Sequence, residues 1–100
     1  MLEHEKGRGE IPLFPLGRTV ITIAAQRRLE QLGRDPREFL RRHHMGDWGD
    51  LTESDVEANE IALVEKYRLF SAYELDASNT VWVITEDNRS VTTILLPEDY

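Results

Sequence analysis

The chain contains no cysteine. It therefore forms no disulfide, carries no Cys-x-x-Cys redox pair, and offers neither a thiolate zinc ligand nor a cysteine nucleophile. Such a chain suits a reducing compartment, and a cytoplasmic location is expected. Runs of about 18 or more apolar residues are also missing, and Met1–Lys6 has neither the basic region nor the apolar stretch of a signal peptide. Neither membrane insertion nor export is expected. No glycine-rich phosphate loop, nucleophile elbow or dinucleotide fingerprint occurs, so no cofactor is implied.

What is present is 100 residues, 40% of them hydrophobic and 31% charged, which suffices for one ordinary domain with one core. The net charge of −7 is unevenly spread. Residues 1–45 hold nine Lys/Arg and six Asp/Glu, whereas residues 46–100 hold three and thirteen. A mildly basic half thus precedes a strongly acidic one, and internal pairing of the two is the simplest expectation.

Seven of residues 1–10 are charged or glycine, which predicts a flexible N-terminal arm ahead of a single domain over 11–100. The β-branched run Thr19–Ile23 predicts a strand. Ala25, Leu29 and Leu32 then fall on one face of a helix over Ala24–Leu32, closed by Gly33. Asp35-Pro36-Arg37-Glu38 carries a capping carboxylate, a proline at the first helical position and a glutamate able to reach back. The second helix should run to about Met45, with Phe39, Leu40 and His43 on its apolar stripe. Thr52 with Asp55 predicts a third helix start, and that helix should reach about Glu65 with Val56, Leu63 and Val64 inward. Beyond Tyr67 the period changes to two, giving strands at Arg68–Leu75, Thr80–Thr85 and Val91–Leu96 joined by hairpin-length connectors. The expected fold is α+β: a small antiparallel sheet of the N-terminal strand plus a C-terminal three-stranded meander, covered on one face by about three helices.

Three segments carry polar chemistry. His43-His44-Met45-Gly46-Asp47-Trp48-Gly49-Asp50 sets two imidazoles and two carboxylates among glycines. Adjacent histidines point about 100° apart on a helix, so metal ligation is not expected, and a core-plugging Trp48 with turn-bonding Asp47 and Asp50 is the simpler reading. Asn59 and Glu60 project onto the apolar face of the third helix and need partners there, which makes Glu60 either a raised-pKa acid or a structural pair. Thr85–Ser90 is a polar hairpin tip whose Arg89 and Ser90 have the chemistry of an anion clamp but the composition of a turn. The arginines at 27, 28, 34, 37, 41 and 42 lack interleaved aromatics, so direct nucleic-acid binding is not expected.

From about Leu16 to Tyr100 the chain resembles a family of short uncharacterised bacterial proteins of plasmids and other mobile elements. The resemblance is carried by Gly46-Asp47-Trp48-Gly49-Asp50, Asn59-Glu60, Leu69-Phe70-Ser71-Ala72-Tyr73, Trp82-Val83-Ile84-Thr85-Glu86 and Arg89-Ser90-Val91-Thr92-Thr93-Ile94-Leu95-Leu96-Pro97. Relatives tend to carry Ala-Asp where this chain has Asp87-Asn88. The resemblance implies a mobile-element setting and brings no catalytic residues. A methyltransferase role, implied by the label of some relatives, would require a doubly wound sheet and a glycine-rich loop, and neither fits.

Three readings of function follow. The first is a small noncatalytic binding or accessory module that takes a protein partner or itself through an exposed part of the sheet or the Trp48 loop, with Trp48, Asp50, Asn59, Arg89 and Ser90 as candidate contacts. The second is an acidic mimic of nucleic acid that inhibits a host defence enzyme. The third is a small hydrolase using His43, Asp47 and Glu60, with Arg89 holding an anion.

Overall fold

The computed structural model describes residues 11–100, so the expected arm at 1–10 lies outside the described residues. The order of elements is β1 (Arg18–Ile21), α1 (Ile23–Leu32), α2 (Pro36–His44), α3 (Glu53–Glu65), β2 (Leu69–Asp76), β3 (Asn79–Thr85) and β4 (Val91–Leu95), followed by a 3-10 turn at Pro97–Asp99. The strands form one sheet in the order β1-β4-β3-β2. The α+β architecture and the three-stranded antiparallel meander match the sequence reading, while β1 joins β4 in parallel and makes the sheet mixed.

That parallel pairing follows from the connection between the two strands. Three helices and two strands separate β1 from β4, and a crossover of this length is what a parallel neighbour requires. β1 also ends earlier than its β-branched run, because Thr22 leaves the sheet to cap α1, its hydroxyl accepting from the Ala25 amide at 3.1 Å. Gly33 closes α1 in the left-handed conformation, and Asp35 caps α2 through the Arg37 amide at 2.9 Å. Glu38 does not reach back to that cap; it pairs with Arg34 at 2.8 Å. Thr52 caps α3, accepting from the Asp55 amide at 3.2 Å.

The core lies between the helices and one sheet face. Tyr73, Val81, Val83 and Ile94 point up from the strands to meet Ala25, Leu29 and Phe39. A second cluster of Phe14, Trp48, Ala62 and Leu69 fills the end under α3. On α3, Asn59 is buried on the inward face and Val56 and Leu63 pack against the second cluster, as expected; Val64 departs from the expected face, exposed while Ala62 is buried. The helix-free face carries an edge-on row of Phe70, Trp82 and Tyr100, the ring centroids 5.0 and 5.8 Å apart. Arg68 donates to the Tyr100 hydroxyl at 2.9 Å, holding that ring across the row.

Candidate functional site

The polar residues singled out in the sequence gather around one end of the sheet, and most are bonded into the scaffold; among the described residues the buried Nδ1 of His44 has no hydrogen-bond partner. His43 is fully buried on α2. Its Nδ1 lies 2.6 Å from Ser71 Oγ and its Nε2 lies 2.9 Å from Thr85 Oγ1. Thr85 Oγ1 is 2.6 Å from Thr92 Oγ1, which donates to the Leu16 carbonyl at 2.7 Å.

The direction of this chain can be worked out from its end. A carbonyl only accepts, so the single Thr92 proton is spent on Leu16. Thr85 must then donate to Thr92 and accept from His43 Nε2–H, which leaves Nδ1 to accept from Ser71. The ring is therefore a neutral imidazole with its proton on Nε2. Burial, then the neighbouring charges of His44 and Arg89, push the His43 pKa down to about 3. Ser71, Thr85 and Thr92 are all sealed from solvent, so the Ser71–His43 pair has no path to a substrate.

Asp47 accepts from Arg42 Nε at 2.7 Å and from the Gly49 amide at 3.2 Å, while its carbonyl takes the Tyr73 hydroxyl at 2.7 Å. Trp48 is buried and stacks on Phe14 with ring centroids 6.1 Å apart; its indole N–H donates to Glu60 Oε2 at 3.3 Å. Phe14 packs among these rings, its centroid 5.1 Å from that of His43. Sequence reading gave Phe14 no role, because the apolar Leu13-Phe14 sits between two prolines with no periodic face.

Arg89 is a structural clamp. Its guanidinium donates to the carbonyls of Ala62 at 2.9 Å and Tyr67 at 2.6 Å, with longer bonds to Glu86 and Asp87. The Ala62 carbonyl also accepts from the Lys66 and Tyr67 amides at 2.9 and 3.2 Å, and Tyr67 lies just beyond α3, so Arg89 ties the helix end to the hairpin tip; a cation placed there also complements the helix dipole. Burial lowers the Arg89 pKa, Asp87 opposing the effect. Ser90 lies in the turn, its amide donating to Asn88 Oδ1 at 3.0 Å.

The remaining candidates seal an edge. In β2 the outward-facing backbone groups belong to Phe70, Ala72 and Glu74. Asn59 takes both groups of Phe70, accepting from its amide at 3.1 Å and donating to its carbonyl at 2.7 Å. The Ala72 amide donates to the Trp48 carbonyl at 3.2 Å and its carbonyl accepts from the Asp50 amide at 2.7 Å. The Glu74 amide donates to Asp50 Oδ2 at 2.9 Å. Residues 48–50 thus act as a short extra strand, with Gly49 bridged to Ala72 at φ +78°. A Cβ on Gly49 would run into the Ala72 carbonyl oxygen and the Tyr73 ring.

Among the described residues the opposite edge has unpaired groups. Arg18 N–H and Thr22 N–H donate to β4-side carbonyls of Ser90 and Ile94 at 2.9 and 3.0 Å. Strand alternation then turns the amides and carbonyls of Thr19 and Ile21 outward, and among the described residues none of these four groups has a partner. Beside them runs a hollow of about 170 Å³ lined by Thr19, Val20, Ile21, Pro36, Leu40 and Ile94. A second, of about 220 Å³, continues from Ile21 and Pro36 to Leu29 and Arg34. An unpaired strand edge flanked by apolar hollows is the geometry that accepts an added strand. β-propensity located this strand in the sequence; which of its sides is bare depends on sheet order, which no local signal encodes.

Among the described residues no group of three or more His, Asp or Glu side chains is placed to hold a metal ion, and no helix is long and apolar enough to cross a membrane. Four of the six arginines on α1 and before or within α2 are tied up, Arg28 to Asn79 and Glu98, Arg34 to Glu38, Arg37 to Asp35 and Arg42 to Asp47. Compared with family models, with curated proteins and with solved structures, the chain matches none. The geometry alone therefore defines the class: a small α+β fold in which, among the described residues, one sheet edge is sealed and the other open.

Proposed function

We propose that the protein is a small noncatalytic binding module that accepts an extended protein strand on the outer edge of β1, in an accessory role on a mobile element and in a reducing compartment such as the cytoplasm. The observation that carries this reading is the contrast between the two edges. Every outward amide of β2 is covered by Asn59, Asp50 or residue 48, whereas Thr19 and Ile21 present two amides and two carbonyls with nothing bonded to them among the described residues. Main-chain hydrogen bonds supply affinity for an added strand, and hollows beside it select alternate side chains.

The hydrolase reading finds its base sealed in the core and its anion clamp committed to carbonyls. The mimic reading needs exposed rows of carboxylates. Six of the thirteen in residues 46–100, Asp47, Asp50, Asp76, Glu86, Glu98 and Asp99, are bonded within the fold, which supports internal pairing over a free row of charges.

The test is an amide NMR titration with an octapeptide of alternating threonine and valine. The proposal predicts shifts centred on Thr19 and Ile21, with slowed exchange at both amides. Shifts confined to the Phe70–Trp82 face, or to the α3 side of β2, would overturn it.

A further inference from the structure

We infer that the natural occupant of the β1 edge is the β1 edge of a second copy of this chain, pairing antiparallel about a two-fold axis at Val20 and joining the two sheets into one. This rests on the strand-accepting reading above and names the partner.

The register follows from which backbone groups face outward. With Val20 opposite its own copy, Thr19 of each chain faces Ile21 of the other. Residues so opposed in an antiparallel ladder exchange both hydrogen bonds, so every outward amide and carbonyl at positions 19 and 21 gains a partner. A closed two-fold contact of this kind uses one surface twice and leaves no new edge beside it.

Side chains fit the same register. Val20, half-buried in one copy, meets Val20 of the other in the closer, non-hydrogen-bonded type of pair, where β-branched residues pack well. On the helix side, the second copy's Ile21 arrives beside Thr19, over the hollow walled by Pro36 and Leu40. Arg18, exposed and without an ion pair among the described residues, comes opposite Thr22. The Thr22 hydroxyl donates to Asp99 Oδ2 at 2.7 Å, so each guanidinium reaches a carboxylate of the other copy. The Leu96 amide, then the Thr22 hydroxyl, hold that carboxylate below its usual pKa. Residues 1–10 are a poor alternative occupant, since seven of them are charged or glycine and none alternates with apolar residues in a strand pattern.

A four-residue edge makes a small contact of the transient class. Sedimentation equilibrium over about 10 µM to 1 mM, the range in which such contacts dissociate, should show the mass rising from 11.6 kDa toward twice that value. Thr19→Pro removes an outward amide that has no partner among the described residues, and it should keep the native fold and thermal midpoint while holding the mass at the monomer value. Arg18→Glu should weaken association about three- to tenfold. A monomer across the whole range overturns the inference, as does a dimer that Thr19→Pro leaves intact. The threonine–valine octapeptide separates the two levels. If the chain stays monomeric but the peptide shifts Thr19 and Ile21, the second copy is wrong and the strand-accepting edge stands. If neither associates there, both fall.

Discussion

His43 shows how a residue with catalytic chemistry becomes a structural one. Its place beside Phe39 on the stripe of α2 was legible from the 100° step, and that stripe implies burial. Its partners were not, since Ser71, Thr85 and Thr92 come from three different strands. Because the unfolded imidazole titrates near 6.5 and the folded one near 3, the unfolded state binds the extra proton between those values. The contribution of His43 to stability is thus fully present above about pH 6.5 and falls as pH drops through this window, at up to about 1.4 kcal/mol per pH unit. NMR should show the His43 ring protonated only on Nε2 from pH 8 to pH 5, and thermal unfolding should show the midpoint falling below pH 6. His43→Leu, which strands the Ser71 hydroxyl donor, should cost about 2–4 kcal/mol in denaturant unfolding and flatten that pH dependence. A His43→Leu protein of unchanged stability would contradict the directed chain.

Among the elements, helix starts were the most legible feature, because Asp35-Pro36 and Thr52 act through bonds only two or three residues long. The place of Val64 on α3 was the least. Val56, Asn59 and Leu63 share the inward face that their spacing implies, and Asn59 gains two backbone bonds on β2, but Ala62 is buried beside them and Val64 points into solvent. Asn59→Ala should therefore cost about 1–3 kcal/mol, since it leaves a half-buried amide and carbonyl of Phe70 unpaired. The same variant should aggregate at high concentration through the newly opened edge, measurable by light scattering. Gly49→Ala should be at least as damaging: its added methyl meets backbone that cannot turn aside, and the position needs a positive φ. Retention of wild-type stability in Gly49→Ala would show that residues 48–50 are not held against β2.

At the scale of the whole molecule, the uneven charge has a structural meaning. The basic half supplies β1, α1 and α2, and the acidic half supplies α3 and the meander, so Arg42–Asp47 and Arg28–Glu98 join one half to the other. The α+β class and the meander were readable from the change of period along the chain. The parallel seating of β1 was not, because it is set by a crossover over more than half the sequence. That seating is what leaves β1 as an outer strand while the acidic half closes the other side, and it is the ground on which we propose binding at β1. Amide hydrogen exchange on dilute, monomeric protein measures the contrast directly. Thr19 and Ile21 should exchange orders of magnitude faster than Phe70, Ala72 and Glu74, and Asn59→Ala should release Phe70 alone among these three. Equal protection of both edges, or faster exchange on the β2 side, would contradict the account.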